Sequence, residues 1–199
     1  AAIVDTEHYK EFIELMKKHH VYFVNKEEKA KLEELVFGAK ANSKNCAGAK
    51  LNAQVVGKSA EHIAELAGFE VPKGTVILAA EVKEVGENEP LTREKLSPIL
   101  AVLKSISTED GIEKSRQMVE FNGLGHSAAV HTQDEEVAEQ FGKVVPACRI
   151  LWNSPSTFGG IGDIYNALIP SLTLGCGSYG GNSVSGNIGA VNLLNYKII

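Results

Sequence analysis

Apolar residues recur along the chain in two rhythms, one of three to four residues and one of short continuous runs, and the two alternate. The chain opens on Ala2-Ile3-Val4, a strand-like run with no turn or cap before it. Tyr9, Phe12, Ile13 and Met16 then fall on one stripe of a helix that Asp5 or Thr6 would cap. A second helix opens on the approximate capping box Asn25-Lys26-Glu27-Glu28, carries Leu32, Leu35 and Val36, and stops at Gly38. A polar loop over 42–45 precedes a short strand expected over 51–56. Ser59 caps a helix with Ile63, Ala64, Leu66 and Ala67, ended by Gly68. The turn Pro72-Lys73-Gly74 leads into Val76-Ile77-Leu78, a run suited to a buried parallel strand.

The same grammar continues through the middle. A strand over 98–102 precedes a helix capped by Thr108, with Ile112, Met118 and Val119 on its apolar side and Gly123 as its stop. Strands over 127–131 and 148–152 flank a helix over 134–141. Such alternation across short loops predicts an α/β fold: a largely parallel sheet flanked by helices. From Ile164 onward the character changes. Residues 164–199 contain no acidic residue, a single basic one (Lys197), and much Gly, Ser and Asn. That composition predicts packed loop and strand lying against something, or a glycine-rich edge strand that serves oligomer contact alone.

Length and charge narrow the picture. At 199 residues and 44% hydrophobic, the chain has material for one sizeable core, which predicts one α/β domain over 1–199. The net charge of −5, with both signs interspersed, offers no basic stripe for a phosphate backbone, so nucleic acid is excluded as a partner. Neither a long uncharged apolar span nor a basic leader followed by an apolar stretch is present, which points to a soluble, cytoplasmic protein with no membrane association. Cys46, Cys148 and Cys176 lie in no Cys-x-x-Cys spacing, so reduced thiols are expected and no metal site. The start at Ala1, directly before a strand-like run, suggests a fragment of a longer chain.

Two stretches imitate a dinucleotide-binding glycine pattern. Gly123-Leu124-Gly125-His126-Ser127-Ala128 follows a helix and enters a strand, the reverse of the order that aims a helix N-terminus at pyrophosphate. Gly175-Cys176-Gly177-Ser178-Tyr179-Gly180 follows an apolar run, but no amphipathic helix or acidic residue comes after it. Neither makes a nucleotide-binding half. His126, between a helix stop and a strand start, can orient or deprotonate a thiol near neutral pH, or be a plain surface histidine. Among the thiols, Cys148 reads as a small core residue and Cys46 as a loop residue, while Cys176 between two glycines has a site-like setting. Glu94 sits in a charged turn just before a buried strand, on the side where ligand loops gather in an open α/β sheet. Gly159-Gly160 would let backbone approach a ligand closely, or form an ordinary tight turn.

Taken in order, these pieces resemble the last third of aldehyde dehydrogenases. Glu94-Lys95-Leu96-Ser97-Pro98 is similar to their Glu-x-Phe-Gly-Pro element, with Gly123 to Ser127 and Phe158-Gly159-Gly160 at suitable spacing behind it. Three longer stretches, 62–69, 159–166 and 171–183, look like the aldehyde dehydrogenase module of the bacterial bifunctional aldehyde-alcohol dehydrogenases. The resemblance implies the catalytic-domain type of that superfamily. It also implies NAD as cofactor, coenzyme A as co-substrate, and a short aldehyde captured by a cysteine thiolate and passed on as a thioester. It places Glu94 and Leu96 beside the nicotinamide ribose, although Leu96 and Ser97 stand where many members have Phe and Gly. It places His126 near the thiol and acyl group, and Asn153, Ser154, Pro155, Gly159 and Gly160 along the substrate channel. The nucleophile is expected a few residues upstream of Ala1, the NAD-binding half before that, and an iron-dependent alcohol dehydrogenase module after Ile199. The 199 residues alone are therefore expected to be inactive. Their partners would be the remainder of their own polypeptide and, in the parent, further copies in a homo-oligomer. Two other readings are a non-catalytic scaffold or oligomerisation domain of the same fold, and a monofunctional acylating dehydrogenase for another short aldehyde.

Overall fold

Ala2–Asp5 (β1), Val21–Phe23 (β2), Ile77–Glu81 (β3) and Ile99–Ser105 (β4) pair in parallel in the spatial order β1-β4-β3-β2. Helices Tyr9–Lys18 (α1), Lys26–Phe37 (α2), Ala60–Ala67 (α3) and Thr108–Asn122 (α4) accompany them. Gly125–Val130 (β5) and Ala147–Trp152 (β6) pair in parallel in a second sheet, with Glu135–Val144 (α5) between them and Ser156–Ile161 (α6) after them. The computed structural model describes residues 1–38, 50–172 and 174–198, so Cys46 and the loop expected over 42–45 lie outside the described residues. The chain divides into two units, Ala1–Asn122 and Gly123–Ile199. The α/β architecture with parallel sheets and flanking helices is the one the hydrophobic pattern predicts.

In the first unit the sheet is buried on both faces, which is why its strands read as continuous apolar runs. Leu78 and Ala80 of β3 and Ala101 and Leu103 of β4 join one core with Leu32 and Val36 of α2, Ile63 of α3, Val55 and Leu91. Ala79 and Val102, one residue out of phase, join Tyr9 of α1 and Val21 on a second core. The ammonium of Lys104 lies over the Tyr9 ring, 4.3 Å from its centroid. Burial first, then the Glu81 carboxylate, holds the Tyr9 phenol well above its ordinary range.

Local signals decided several element ends. The Asn25 side chain accepts from Glu27 N and Glu28 N at 2.9 and 3.0 Å, and Glu28 accepts from Asn25 N at 2.8 Å, completing the expected capping box. Gly38 and Gly68 close α2 and α3 in the left-handed conformation, and Ser59 and Asp134 cap α3 and α5. Asp5 does not cap α1: it ends β1, while the Thr6 hydroxyl donates to Ser105 O at 2.6 Å, and the helix starts behind His8 without a side-chain cap. At α4 the cap is Ser107 rather than Thr108, its hydroxyl accepting from Asp110 N at 3.2 Å. The strand expected over 51–56 is a 3-10 turn at Ala53–Val55, because Asn52 bonds Gln54 N through its side chain and Val36 O through its own N–H. Three-residue β2 was not anticipated, being too short to show a period.

In the second unit, β5 and β6 run in register from Gly125↔Ala147 to Val130↔Trp152. Among its described residues the segment 164–198 forms no strand, only 3-10 turns at Ser178–Gly180 and Ala190–Leu193. It is tied down by polar bonds: Ser171 Oγ to Asn187 Oδ1 at 2.8 Å, Asn187 Nδ2 to Pro170 O at 2.8 Å, and Arg149 to Ser185 O at 2.5 Å. Ile169, Leu172, Leu193 and Ile198 are exposed in this chain. No helix among the described residues is long and apolar enough to cross a membrane.

Two substitutions test this account. Ile63→Ala, which empties a fully buried site, should lower the unfolding free energy by about 2–5 kcal/mol in urea titration. Asn25→Ala should cost ~1 kcal/mol by removing one half of the capping box, and an unchanged midpoint would refute that role.

Candidate functional site

β3 and β4 are parallel neighbours, so the chain must return from the carboxyl end of one to the amino end of the other. It does so through the long connection 82–98, which contains only a 3-10 turn at Pro90–Thr92. Backbone that lacks a helix must find its partners elsewhere. Glu89, buried, accepts from Lys29 Nζ at 2.6 Å and from Lys83 N at 3.2 Å. The Thr92 hydroxyl donates to Glu89 O at 2.7 Å and accepts from Gly86 N at 3.2 Å. The Arg93 guanidinium lies over the Phe121 ring at 4.7 Å. Lys95, also buried, turns its ammonium inward to Leu91 O at 2.5 Å and Arg93 O at 2.9 Å. Burial lowers its pKa to about 8, with the Glu94 carboxylate opposing.

The residues on either side of Lys95 point the other way. Glu94 is exposed, and Leu96 is 60% exposed with a left-handed φ of 41°, its carbonyl accepting from Gly57 N at 3.1 Å. Thus Glu94 and Leu96, both expected at a cofactor, share one exposed tip. This tip precedes β4 and so lies at the amino-terminal edge of the sheet, not at the carboxyl edge where ligand loops gather in open α/β folds. The expectation about the edge is corrected by strand direction alone. Ala2 pairs with Val102, three residues into β4, so β1 enters the sheet level with Glu81 at the end of β3 and runs parallel to β4.

The other candidates lie in the second unit, at two ends of its sheet. His126 is exposed at the start of β5, its Nδ1 2.9 Å from Ser127 Oγ. Asn153 follows the end of β6, roughly 16 Å further along the strands. Both ends of its amide are engaged: Oδ1 accepts from Thr132 N at 3.0 Å and Nδ2 donates to Thr132 O at 2.8 Å. With Asn153 N donating to Val130 O at 2.9 Å, this clamp holds the two strand ends together around a left-handed φ of 51°. Ser154 Oγ donates to Trp152 O at 3.3 Å, and Pro155 precedes α6. Gly159 and Gly160 are inside α6 rather than in a turn, and both are buried. A Cβ on Gly159 would stand 3.2 Å from Ser154 Cβ and 3.3 Å from Leu151 Cδ1, so this glycine brings the helix against the strand. Phe158 and Tyr165, with ring centroids 6.3 Å apart, form an exposed aromatic pair beside it.

The two glycine patterns meet each other. A Cβ on Gly125 (φ 91°) would collide with Cys176 O and stand 2.9 Å from both Gly180 N and Tyr179 Cβ, and one on Gly180 would stand 3.1 Å from Leu124 O. The glycines therefore serve a close approach of two backbone segments, leaving no cradle for a phosphate. The Cys148 thiol donates to Cys176 O at 2.9 Å beneath this contact, and Asn182 Oδ1 accepts from Cys176 N at 2.9 Å. Among the described residues no cluster of three or more His, Cys, Asp and Glu side chains could hold a metal. Lys95 and Thr132 are the positions that sequence reasoning missed. A lysine in a charged segment gives no sign of burial, and Thr132 acts only through its peptide. Gly125→Ala should pry the 176–180 loop away and raise the rate at which a thiol reagent modifies Cys148 several-fold; an unchanged rate would refute the interlock.

No protein-family model matches the chain. Its sequence is 72% identical, over 99% of its length, to the aldehyde-alcohol dehydrogenase of Streptococcus pneumoniae, and 56% identical over 99% to aldehyde-alcohol dehydrogenase 2 of Entamoeba histolytica. It spans about a fifth of those relatives, 22% and 23% of their lengths. Its fold matches the crystal structure of an acetylating aldehyde dehydrogenase from Geobacillus thermoglucosidasius with a TM-score of 0.84 at 40% identity, covering 97% of this chain and 40% of that one. Over the residues it spans, the chain is similar in sequence to one part of the aldehyde-alcohol dehydrogenases and shares the fold of part of an acetylating aldehyde dehydrogenase.

Proposed function

We propose that the chain is the acyl-transfer part of a cytoplasmic, NAD-dependent, coenzyme-A-acylating aldehyde dehydrogenase. The reaction converts acetaldehyde, coenzyme A and NAD to acetyl-CoA, NADH and a proton. The observation that carries this reading is the 94–96 tip: a carboxylate and an apolar side chain exposed side by side, on a turn built from buried polar groups. Long connections of this kind in compact domains are commonly functional. The exposed Glu94 carboxylate fits a ribose, whose hydroxyls it can accept from, and Leu96 gives the nicotinamide an apolar edge. NAD, when bound, supplies the hydride acceptor.

The remaining roles fall to this chain's own side chains. His126, whose ring makes only the Ser127 bond among the described residues, has a second nitrogen free to take the proton of the incoming coenzyme A thiol. A deprotonated thiol is the nucleophile that a thioester needs. The Asn153 clamp presents Ser154 and Pro155 at the far end of the strands, and Gly159 with Gly160 sets α6 beside them as a wall of the substrate channel. The nucleophilic cysteine belongs upstream of Ala1. The exposed apolar side chains of 164–198 are assigned to contacts with the remainder of the polypeptide and, in a homo-oligomer, with a second copy.

A chimaera tests the proposal: the chain replaces the matching segment of the Streptococcus pneumoniae relative. The chimaera should reduce NAD with acetaldehyde and coenzyme A, while the 199 residues alone should give no turnover. His126→Ala in the chimaera should lower kcat for acyl transfer by about 100-fold or more. A folded but inactive chimaera, or full activity after His126→Ala, would count against the assignment.

A further inference from the structure

We propose that Lys95 is a positioning residue that sets the cofactor-facing tip, acting through Glu94 and Leu96 without touching the cofactor. The inference rests on the reading of Glu94 as a cofactor contact. Three residues in a row alternate outward, inward, outward: Glu94 exposed, Lys95 buried, Leu96 exposed. The inward one is the only one of the three whose side chain carries donors, and both carbonyls it reaches belong to the same turn. Leu91, between Pro90 and Thr92, is fully buried and belongs to the larger core, so its carbonyl is a fixed point. The base of the connection is fixed as well, by Glu89 between Lys29 and Lys83 N. Lys95 is thus the tie between an anchored base and an exposed tip.

The tip needs such a tie. Leu96 holds a left-handed φ of 41°, which an L side chain adopts only under constraint. One end of that constraint is the bond from Gly57 N to Leu96 O, and the other is the Lys95 ammonium one residue earlier. A buried ammonium held by carbonyls is costly in stability, as its pKa lowered to about 8 shows. An apolar residue would fill the site at less cost, so the hydrogen bonds serve geometry. Loss of the ammonium leaves the Leu91 and Arg93 carbonyls short of a donor and frees residues 94–96 to relax. Misplacement of a contact by about 1 Å is enough to cost a large factor in rate or affinity.

The test is a double-mutant cycle in the chimaera: Glu94→Gln, Lys95→Met, which keeps the stem, and both together, with NADH affinity read from its fluorescence. Hydrogen exchange of the amides over 90–97 is followed in the same proteins. Glu94→Gln and Lys95→Met should each weaken NADH about five- to tenfold. The double variant should be no weaker than Glu94→Gln alone, because both changes remove the same contact. Lys95→Arg should restore affinity to within about twofold and Lys95→Met should speed exchange at the tip. Multiplying effects, or unchanged affinity in Lys95→Met, overturn the positioning role and leave the Glu94 contact standing. No effect of Glu94→Gln overturns the contact and this inference together. Should Lys95→Met fail to fold, Lys95→Gln takes its place, and failure of both assigns Lys95 to stability alone.

Discussion

Parallel pairing of β3 with β4 is the constraint on which the first unit depends. It obliges the chain to cross from one edge of the sheet to the other, and here the crossing is made without a helix. Backbone groups that a helix would have paired among themselves are paired instead by Glu89, Thr92 and Lys95. The polar interior of the connection follows from that need, and so does its exterior. With Lys95 turned in, its neighbours Glu94 and Leu96 have only the outside left, and the exposed carboxylate of the candidate site is a by-product of how the crossing is held.

The second unit solves a different problem with different means. Two strands make a narrow sheet, and a two-stranded pair is marginal unless something packs on it. Gly159 and Gly160 let α6 approach one part of it, and the interlocked glycines 125 and 180 let the 175–181 loop approach another. Asn153 closes the far end by bonding Thr132 through both its amide oxygen and its amide nitrogen. Residues that resemble ligand contacts in sequence are therefore also the residues on which the local fold rests. A glycine or an amide there does two jobs, and a substitution would disturb both.

Much of this was legible beforehand, for physical reasons that differ from residue to residue. Asn25, Ser59 and Asp134 announced helix starts, because capping is a local bond between residues two or three apart. Gly38 and Gly68 announced helix ends, because the left-handed conformation is cheap only without a Cβ. Asp5 and Thr108 misled, since each has a neighbour that a tertiary partner or a better-placed hydroxyl favoured. At 51–56, Asn52 outweighed the apolar run around it.

Residue order alone encodes the alternation of strand and helix, and with it a parallel α/β fold, since the period of burial is written in the residues that are buried. It also carried the family resemblance, because long motifs keep order and spacing. The tertiary structure alone decided which edge of the sheet Glu94 occupies, that Lys95 turns inward, and that the two glycine patterns face each other rather than a phosphate. Those are relations between segments far apart in the chain, and no local period or spacing encodes them.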